Sequence, residues 1–261
     1  MNILLEIVER TKVRVEARKK TLPPEEVMEI ARSGIIAGFP FEEALKSNDI
    51  ALICEIKKAS PSKGVIAGDF PYVEIARTYE SAGAAAISVL TEPNYFKGDD
   101  RYLREIADIV SIPLLRKDFT IDSYMIYEAK ILGASAVLLI CSILSSDTLA
   151  EYIAVAHSLG LSALVETHDE DEVEMALGAG ARIIGVNNRN LKTFEVDISL
   201  SERLRKIVPP GILFVSESGI QSPEDVSKLR KIGANAALVG ETIMRSADKR
   251  SEIVRLRGTK K

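Results

Sequence analysis

The chain has no tryptophan, one glutamine (Gln221), two cysteines (Cys54, Cys141) and two histidines (His157, His168) in 261 residues. Each shortage excludes something. Two cysteines, both inside apolar runs, cannot build a disulfide framework; they read as buried, inert thiols of a cytosolic protein. Two histidines leave too little for a histidine-rich metal site, so neither a metal nor any other cofactor is expected. No stretch approaches the ~20 apolar residues of a membrane helix, and the first apolar run breaks at Glu6, too early for a signal peptide. The net charge of −4 and pI near 5.5 give no basic face for nucleic acid. No G-x-G-x-x-G follows any apolar run, which removes the usual dinucleotide site. The scarcity of glutamine beside 28% charged residues is a composition compatible with a thermophile.

What is present is a repeat of two textures. Strand-length apolar runs occur at 51–57, 84–91, 112–119, 135–143, 161–167, 182–188, 212–218 and 236–241. Helical patterns lie between them: Leu103, Ile106, Ala107 and Val110 share one face, as do Leu149, Tyr152, Ile153 and Ala156. Ser222-Pro223-Glu224-Asp225 is an N-cap followed by proline and acids. Five helical patterns close on Gly83, Gly133, Gly160, Gly180 and Gly233, each turning the chain into the next strand. Eight strands alternating with helices predict a parallel sheet closed as a (β/α)8 barrel, a single domain over 1–261. Residues 1–50 fall outside the repeat. The stripe Ile3, Leu4, Ile7, Val8 and a second helix begun by Pro23-Pro24, with Val27 and Ile30, predict a helical extension packed on a barrel of 51–261.

Strand period places Glu55 and Lys57 on one face near the carboxyl end of the first strand, with Cys54 and Ile56 facing the helices. Lys117, Glu166, Asn187 and Arg189 stand at the ends of later strands. A charge at one strand end is ordinarily a solvated rim. Several converging on the carboxyl face of a barrel predict an active site that transfers protons. There the like charge of Lys57 and partial burial are expected to lower the pKa of Lys117. Glu217-Ser218-Gly219 and Gly240-Glu241-Thr242 follow the last two strands; small residues at a helix start leave N–H groups for an anion, so a small phosphorylated substrate is expected. The segment ASPSKGVIAGDF after the first strand is long enough to close over a ligand.

At CEIKKASPSKG (54–64) the sequence resembles the indole-3-glycerol phosphate synthase family, and the resemblance runs through ISVLTEPNYFKGD, LLRKDF, LVETHDE, IGVNNRNL, VSESGI and LVGETIM. It covers every strand in order, and the extension as well. The resemblance implies a cytoplasmic carboxy-lyase of tryptophan biosynthesis that closes an indole ring on 1-(2-carboxyphenylamino)-1-deoxyribulose 5-phosphate. It makes Lys117 the general acid, Glu166 the general base, Lys57 the holder of the substrate carboxylate, and Glu55 a member of the catalytic set with Asn187 and Ser218. Ser60, Phe119, Arg189, Leu191, Glu217, Gly219, Leu238, Gly240 and Glu241 become substrate contacts: Ser218, Gly219 and Gly240 for the phosphate, Phe119 and Leu191 for the aromatic ring. Some relatives carry a tryptophan in the first helix; here an aliphatic residue such as Leu5 is expected in its place. Three other readings of the same fold stay open. They are a Schiff-base aldolase using Lys117 or Lys57, a phosphoribosyl isomerase, and a non-catalytic phosphate-binding barrel. A monomer acting on a small phosphorylated substrate, with no nucleic-acid or membrane partner, completes the expectation.

Overall fold

The computed structural model describes residues 3–34, 38–47, 49–190 and 193–258. Eight parallel strands form a closed barrel: β1 (Ala51–Ile56), β2 (Ala86–Leu90), β3 (Leu114–Lys117), β4 (Ala136–Ile140), β5 (Ser162–Thr167), β6 (Ile183–Asn187), β7 (Leu213–Glu217) and β8 (Ala236–Val239). Each pairs with its sequence neighbours, and β8 closes on β1 through the register Ala51↔Ala236 to Cys54↔Val239. All eight lie inside the expected runs. The runs overshoot where chemistry stops a ladder: Pro113 has no N–H to donate before β3, and Asp118 turns the chain after it.

The helices begin with α1 (Ile3–Thr21), α2 (Pro24–Ser33) and α3 (Pro40–Leu45) before the barrel. Around it follow α4 (Tyr72–Ser81), α5 (Asp100–Ala107), α6 (Ser123–Ile131), α7 (Ser146–Ser158), α8 (Glu170–Gly178), α9 (Ser199–Arg205), α10 (Pro223–Lys231), α11 (Glu241–Arg245) and α12 (Lys249–Arg257). The five helix-ending glycines all adopt positive φ, between 69° and 88°, a region that costs side-chain-bearing residues. Ser222 and Asp225 form a reciprocal capping box at α10. One expected helix is two: α11 stops where Ser246 becomes extended, and Asp248 caps α12 by accepting from Ser251 N at 3.0 Å.

Two cores result from the period of two. Leu52, Cys54 and Ile56 face the helices, whereas Ile53, Leu115, Leu164 and Val215 fill the barrel lumen. The amino end of the lumen is plugged by α3, whose Phe41 and Leu45 are fully buried in the inner core. Side chains of this kind contribute ~1.5–3 kcal/mol each when removed from water.

The extension crosses the other end. Leu4, Ile7 and Val15 of α1 are buried. Polar bonds fix the helix to the barrel: Arg14 donates to Asp118 Oδ1 at 2.8 Å, Arg18 to Glu128 Oε1 at 2.7 Å, and Lys19 to Asp122 Oδ2 at 2.7 Å. The network continues inward to Arg116, which is 2% exposed and bonded to Asp100, Glu128 and the Met125 carbonyl. A buried guanidinium is tolerable only with such partners.

Candidate active site

A cleft of about 630 Å³ opens at the carboxyl ends of the strands, a size suited to a small ligand. Glu55, Lys57, Ser60, Lys117, Phe119, Glu166, Asn187, Arg189, Glu217, Ser218, Gly219, Leu238, Gly240 and Glu241 all line it. The structure therefore brings together every expected site residue except Leu191, which lies outside the described residues.

The centre is a layer of four charged side chains from alternate strands. Glu55 closes the inward face of β1, Lys117 that of β3, Glu166 that of β5 and Glu217 that of β7. Lys117 Nζ lies 3.2 Å from Glu166 Oε2 and closer still to Glu217 Oε2. Lys57 pairs with Glu55 Oε2. Two glycines make room for this layer. A β-carbon on Gly240 would come within 2.2 Å of Glu55 Oε2, and one on Gly185 within 2.3 Å of Glu217 Oε1.

Burial disfavours the charged form of Lys117, yet Glu217, Glu166 and Glu55 outweigh it and hold the ammonium above its ordinary value. The expected lowering by Lys57 is thus reversed: three carboxylates face Lys117, and Lys57 is engaged by one of them. Burial also opposes ionisation of Glu166, but Lys117, with His168 and Asn187, keeps that carboxyl below its usual range. Glu217 moves the other way. Burial and the like charges of Glu166 and Glu55 raise it against the pull of Lys117. Two carboxyls with values pushed apart around one lysine can hold and exchange protons.

At the end of β7 the backbone itself is unusual. Ser218 has φ 67° and Gly219 φ 85°. A left-handed serine costs on the order of 1–3 kcal/mol and marks a turn held by its surroundings. Here Asn188 Nδ2 donates to the Ser218 carbonyl at 3.1 Å, and Thr242 Oγ1 donates to the Ile220 carbonyl at 2.7 Å, tying this turn to the start of α11. The first N–H groups of α11 have no acceptor within their own helix.

The segment after β1 carries a short antiparallel hairpin, Ala59–Ser60 against Gly64–Val65, which sets Ser60 to Lys63 on the rim. Ile3, Leu4 and Ile7 of α1 supply an apolar wall, joined by Phe96 and Phe119, whose rings are 6.1 Å apart. Leu5 is not part of it: at 60% exposure it points away, because one step along a helix turns a side chain through about 100°. Other lining residues went unnoticed in the sequence, among them Leu138, Ile140 and Arg245. The first two are the inward positions of β4 and share the period that identified Glu166; Arg245 carries no signal of its own.

No group of three His, Cys, Asp or Glu side chains among the described residues is placed to hold a metal ion. No helix there is long and apolar enough to cross a membrane.

Residues 4–256 match the indole-3-glycerol phosphate synthase family. A protein of that name from Ruminiclostridium cellulolyticum is 58% identical over 258 residues, covering 98% of this chain and 99% of its own. Another, from Endomicrobium trichonymphae, is 54% identical, covering 94% of this chain and 96% of its own. Among solved structures, 3-hexulose-6-phosphate synthase from Salmonella typhimurium superposes with a TM-score of 0.66 at 16% identity, covering 80% of this chain and 97% of its own, a likeness of fold.

Proposed function

The chain belongs to the indole-3-glycerol phosphate synthase family, and from that premise we propose how its barrel mouth divides the reaction among residues. The enzyme is a carboxy-lyase of tryptophan biosynthesis. It converts 1-(2-carboxyphenylamino)-1-deoxyribulose 5-phosphate to indole-3-glycerol phosphate with loss of CO2 and water.

Ring closure needs a proton at the ketone oxygen while the aryl carbon attacks. Lys117 is the general acid: it is charged, enclosed and placed between carboxylates that can reload it. Glu166 is the general base that removes protons as the ring regains aromaticity and water leaves. Lys57, steadied by Glu55, holds the substrate carboxylate until CO2 departs and shares in proton transfer. Asn187, Arg189 and Glu217 contact the polar chain of the substrate. The turn Ser218-Gly219 and the start of α11 at Gly240-Glu241 hold the phosphate; the strained serine supports this, as do the first-turn N–H groups of α11, which no acceptor of their own helix can use. Ser60 closes the rim, Leu238 the floor, and Phe119 flanks the aromatic ring.

The observation that carries this reading is one lysine bridging two carboxylates with opposed pKa shifts inside the cleft. A Schiff-base lysine needs a lowered pKa, so the raised value of Lys117 speaks against an aldolase that uses Lys117. The biosynthetic role supports the cytoplasm. Fluorescence of the indole product from the carboxyphenylamino ketose phosphate tests the roles. Lys117→Ala and Glu166→Gln are expected to lose ~10²–10⁴-fold in kcat with the fold intact. Losses below tenfold would remove the assignments.

A further inference from the structure

β5 ends at Thr167, and the chain turns through His168 into α8. The cap of that helix determines where the imidazole goes. Asp169 Oδ1 accepts from Glu172 N at 2.9 Å, while Glu172 Oε2 accepts from His168 N at 2.7 Å. The same Glu172 oxygen lies 3.0 Å from His168 Nδ1. Backbone and ring are therefore gripped by one carboxylate. The other ring nitrogen, Nε2, is buried without a well-formed hydrogen bond and stands 3.4 Å from Glu166 Oε1. A shift of roughly half an ångström would bring that pair to ordinary hydrogen-bond length. Glu166 thus has an imidazole at Oε1 and Lys117 at Oε2, the latter 3.2 Å away.

We propose that His168, clamped by Glu172, is a positioning residue for ring closure: it fixes Glu166 through Oε1 and commits Oε2 to proton exchange on the Lys117 side of the cleft. The inference rests on the reading of Glu166 as general base. Burial disfavours the charged imidazole, but Glu166 and Glu172 outweigh it and push His168 up to about 10, so it is a cation at neutral pH. A fixed cation behind the base keeps the carboxylate ionised when a substrate oxygen draws Lys117 away. The other groups facing Glu166 are Lys117 on β3, Asn187 on β6 and Glu217 on β7. Glu172 faces His168 from α8. Cys141, whose Sγ donates to the Glu172 carbonyl at 3.6 Å, is pushed up to about 12 by burial and stays neutral. If His168 only staples α8, its replacement changes stability and nothing else.

The test uses the full-length enzyme with His168→Asn, His168→Gln and Glu172→Gln. The acid limb of kcat/KM is expected to move about one pH unit upward in His168→Asn, as loss of a neighbouring opposite charge requires. At neutral pH kcat should fall roughly tenfold, a typical share of a general base's contribution, with KM within twofold. Glu172→Gln should move the limb in the same direction by less. A pH profile superimposable on the parent's, or a change confined to KM, overturns the proposal. Glu166→Gln is measured in parallel. If it stays active, the base assignment fails and the inference with it; if it is inactive while the His168→Asn profile is unchanged, the inference alone fails. Should the His168 variants not fold, the parent decides. With two histidines in the chain, NMR of the imidazole carbons gives two titrations, and a His168 signal that titrates near pH 6.5 overturns the proposal.

Discussion

Replacing Gly185 with alanine should inactivate the enzyme without unfolding it. Gly185 sits in β6, beside Glu166 of β5 and Val215 of β7 in the ladder. It faces the lumen between Ile183 and Asn187. Its backbone is not in the left-handed region, so alanine meets no conformational penalty there. The new β-carbon would stand 2.3 Å from Glu217 Oε1 and 3.1 Å from Leu164 Cδ1. Real contacts of that kind lie beyond 3.0 Å, so the Glu217 carboxylate must withdraw by roughly 1 Å. Loss of glycine's freedom in the unfolded chain stabilises by about 0.4–1 kcal/mol. Overpacking costs about 1–3 kcal/mol. The net, about 1 kcal/mol of destabilisation, leaves the fold intact. The catalytic effect is larger, because Glu217 holds the Lys117 ammonium directly. A displacement of about 1 Å at a reacting group is worth ~10²-fold in rate. Steady-state kinetics followed by product fluorescence, beside a thermal melt, measures both effects. Glu217→Gln completes a cycle: if Gly185→Ala acts through Glu217, the double variant is little worse than the poorer single one. A Gly185→Ala enzyme within threefold of the parent in kcat/KM, or fully additive losses, would refute the reasoning.

Three further outcomes follow from the same geometry. Arg116→Met leaves Asp100 and Glu128 with the part-exposed Arg18 in place of the buried cation, so it should cost at most the about 3–5 kcal/mol of a broken buried pair, read as a fall in Tm of up to about 10 °C; an unchanged melt would show the network to be ornamental. Although buried, Asp118 is held below its ordinary value by Arg14 and Arg116, so its contribution is present above the unfolded carboxylate range near 4 and disappears as pH falls through the lower folded value. Asp118→Asn should therefore flatten the acid side of a stability–pH curve, and parallel curves would contradict this. Leu4→Ala with Ile7→Ala removes the α1 wall of the cleft and should raise KM severalfold with kcat nearly kept; an unchanged KM would make α1 a structural cover only.

The barrel was legible in the sequence because its two periods are long and regular. Eight apolar runs and five helix-ending glycines repeat the same local decision, and each of those glycines takes the positive φ its place demands. The inward charges were legible for a related reason: Glu55, Lys117, Glu166 and Glu217 interrupt or end runs that are otherwise apolar. What escaped lacked a period. The plug α3 is one and a half turns long, too short to show that Phe41 and Leu45 share a face. The imidazole of His168 depends on a cap four residues away, and Arg116 depends on acids from the helix before its strand and the helix after it. The sign of the Lys117 shift was misjudged because strand order shows which side chains reach the mouth, not which stand nearest. Leu5, the aliphatic example expected near the aromatic ring, is one residue of helix register away from Leu4, which lines the cleft.

The placement of the four central charges follows from how such barrels are filled. Alternate strands contribute one side chain each to a layer, and layers stack along the axis. Two residues before Glu55, Lys117, Glu166 and Glu217 stand Ile53, Leu115, Leu164 and Val215, all at 0% exposure. The charged layer is thus the next layer of the same packing, with polar side chains substituted and an apolar floor beneath. That floor excludes water from one side, so each charge interacts more strongly with its neighbours than it would in solvent. Three carboxylates around one ammonium then do two things at once. They make the burial of Lys117 tolerable, and they raise its hold on the proton that the general acid proposed above gives up. A lysine so held is a poor acid until something competes for it. An oxyanion forming on the substrate ketone is such a competitor, because it draws the ammonium away from Glu217 and Glu166 only as negative charge develops. Glu217, whose protonated form is favoured by burial and by like charge, is the carboxyl best placed to return a proton to Lys117 afterwards. The arrangement therefore favours proton delivery in the transition state over delivery in the ground state, which is the condition for catalysis rather than mere binding.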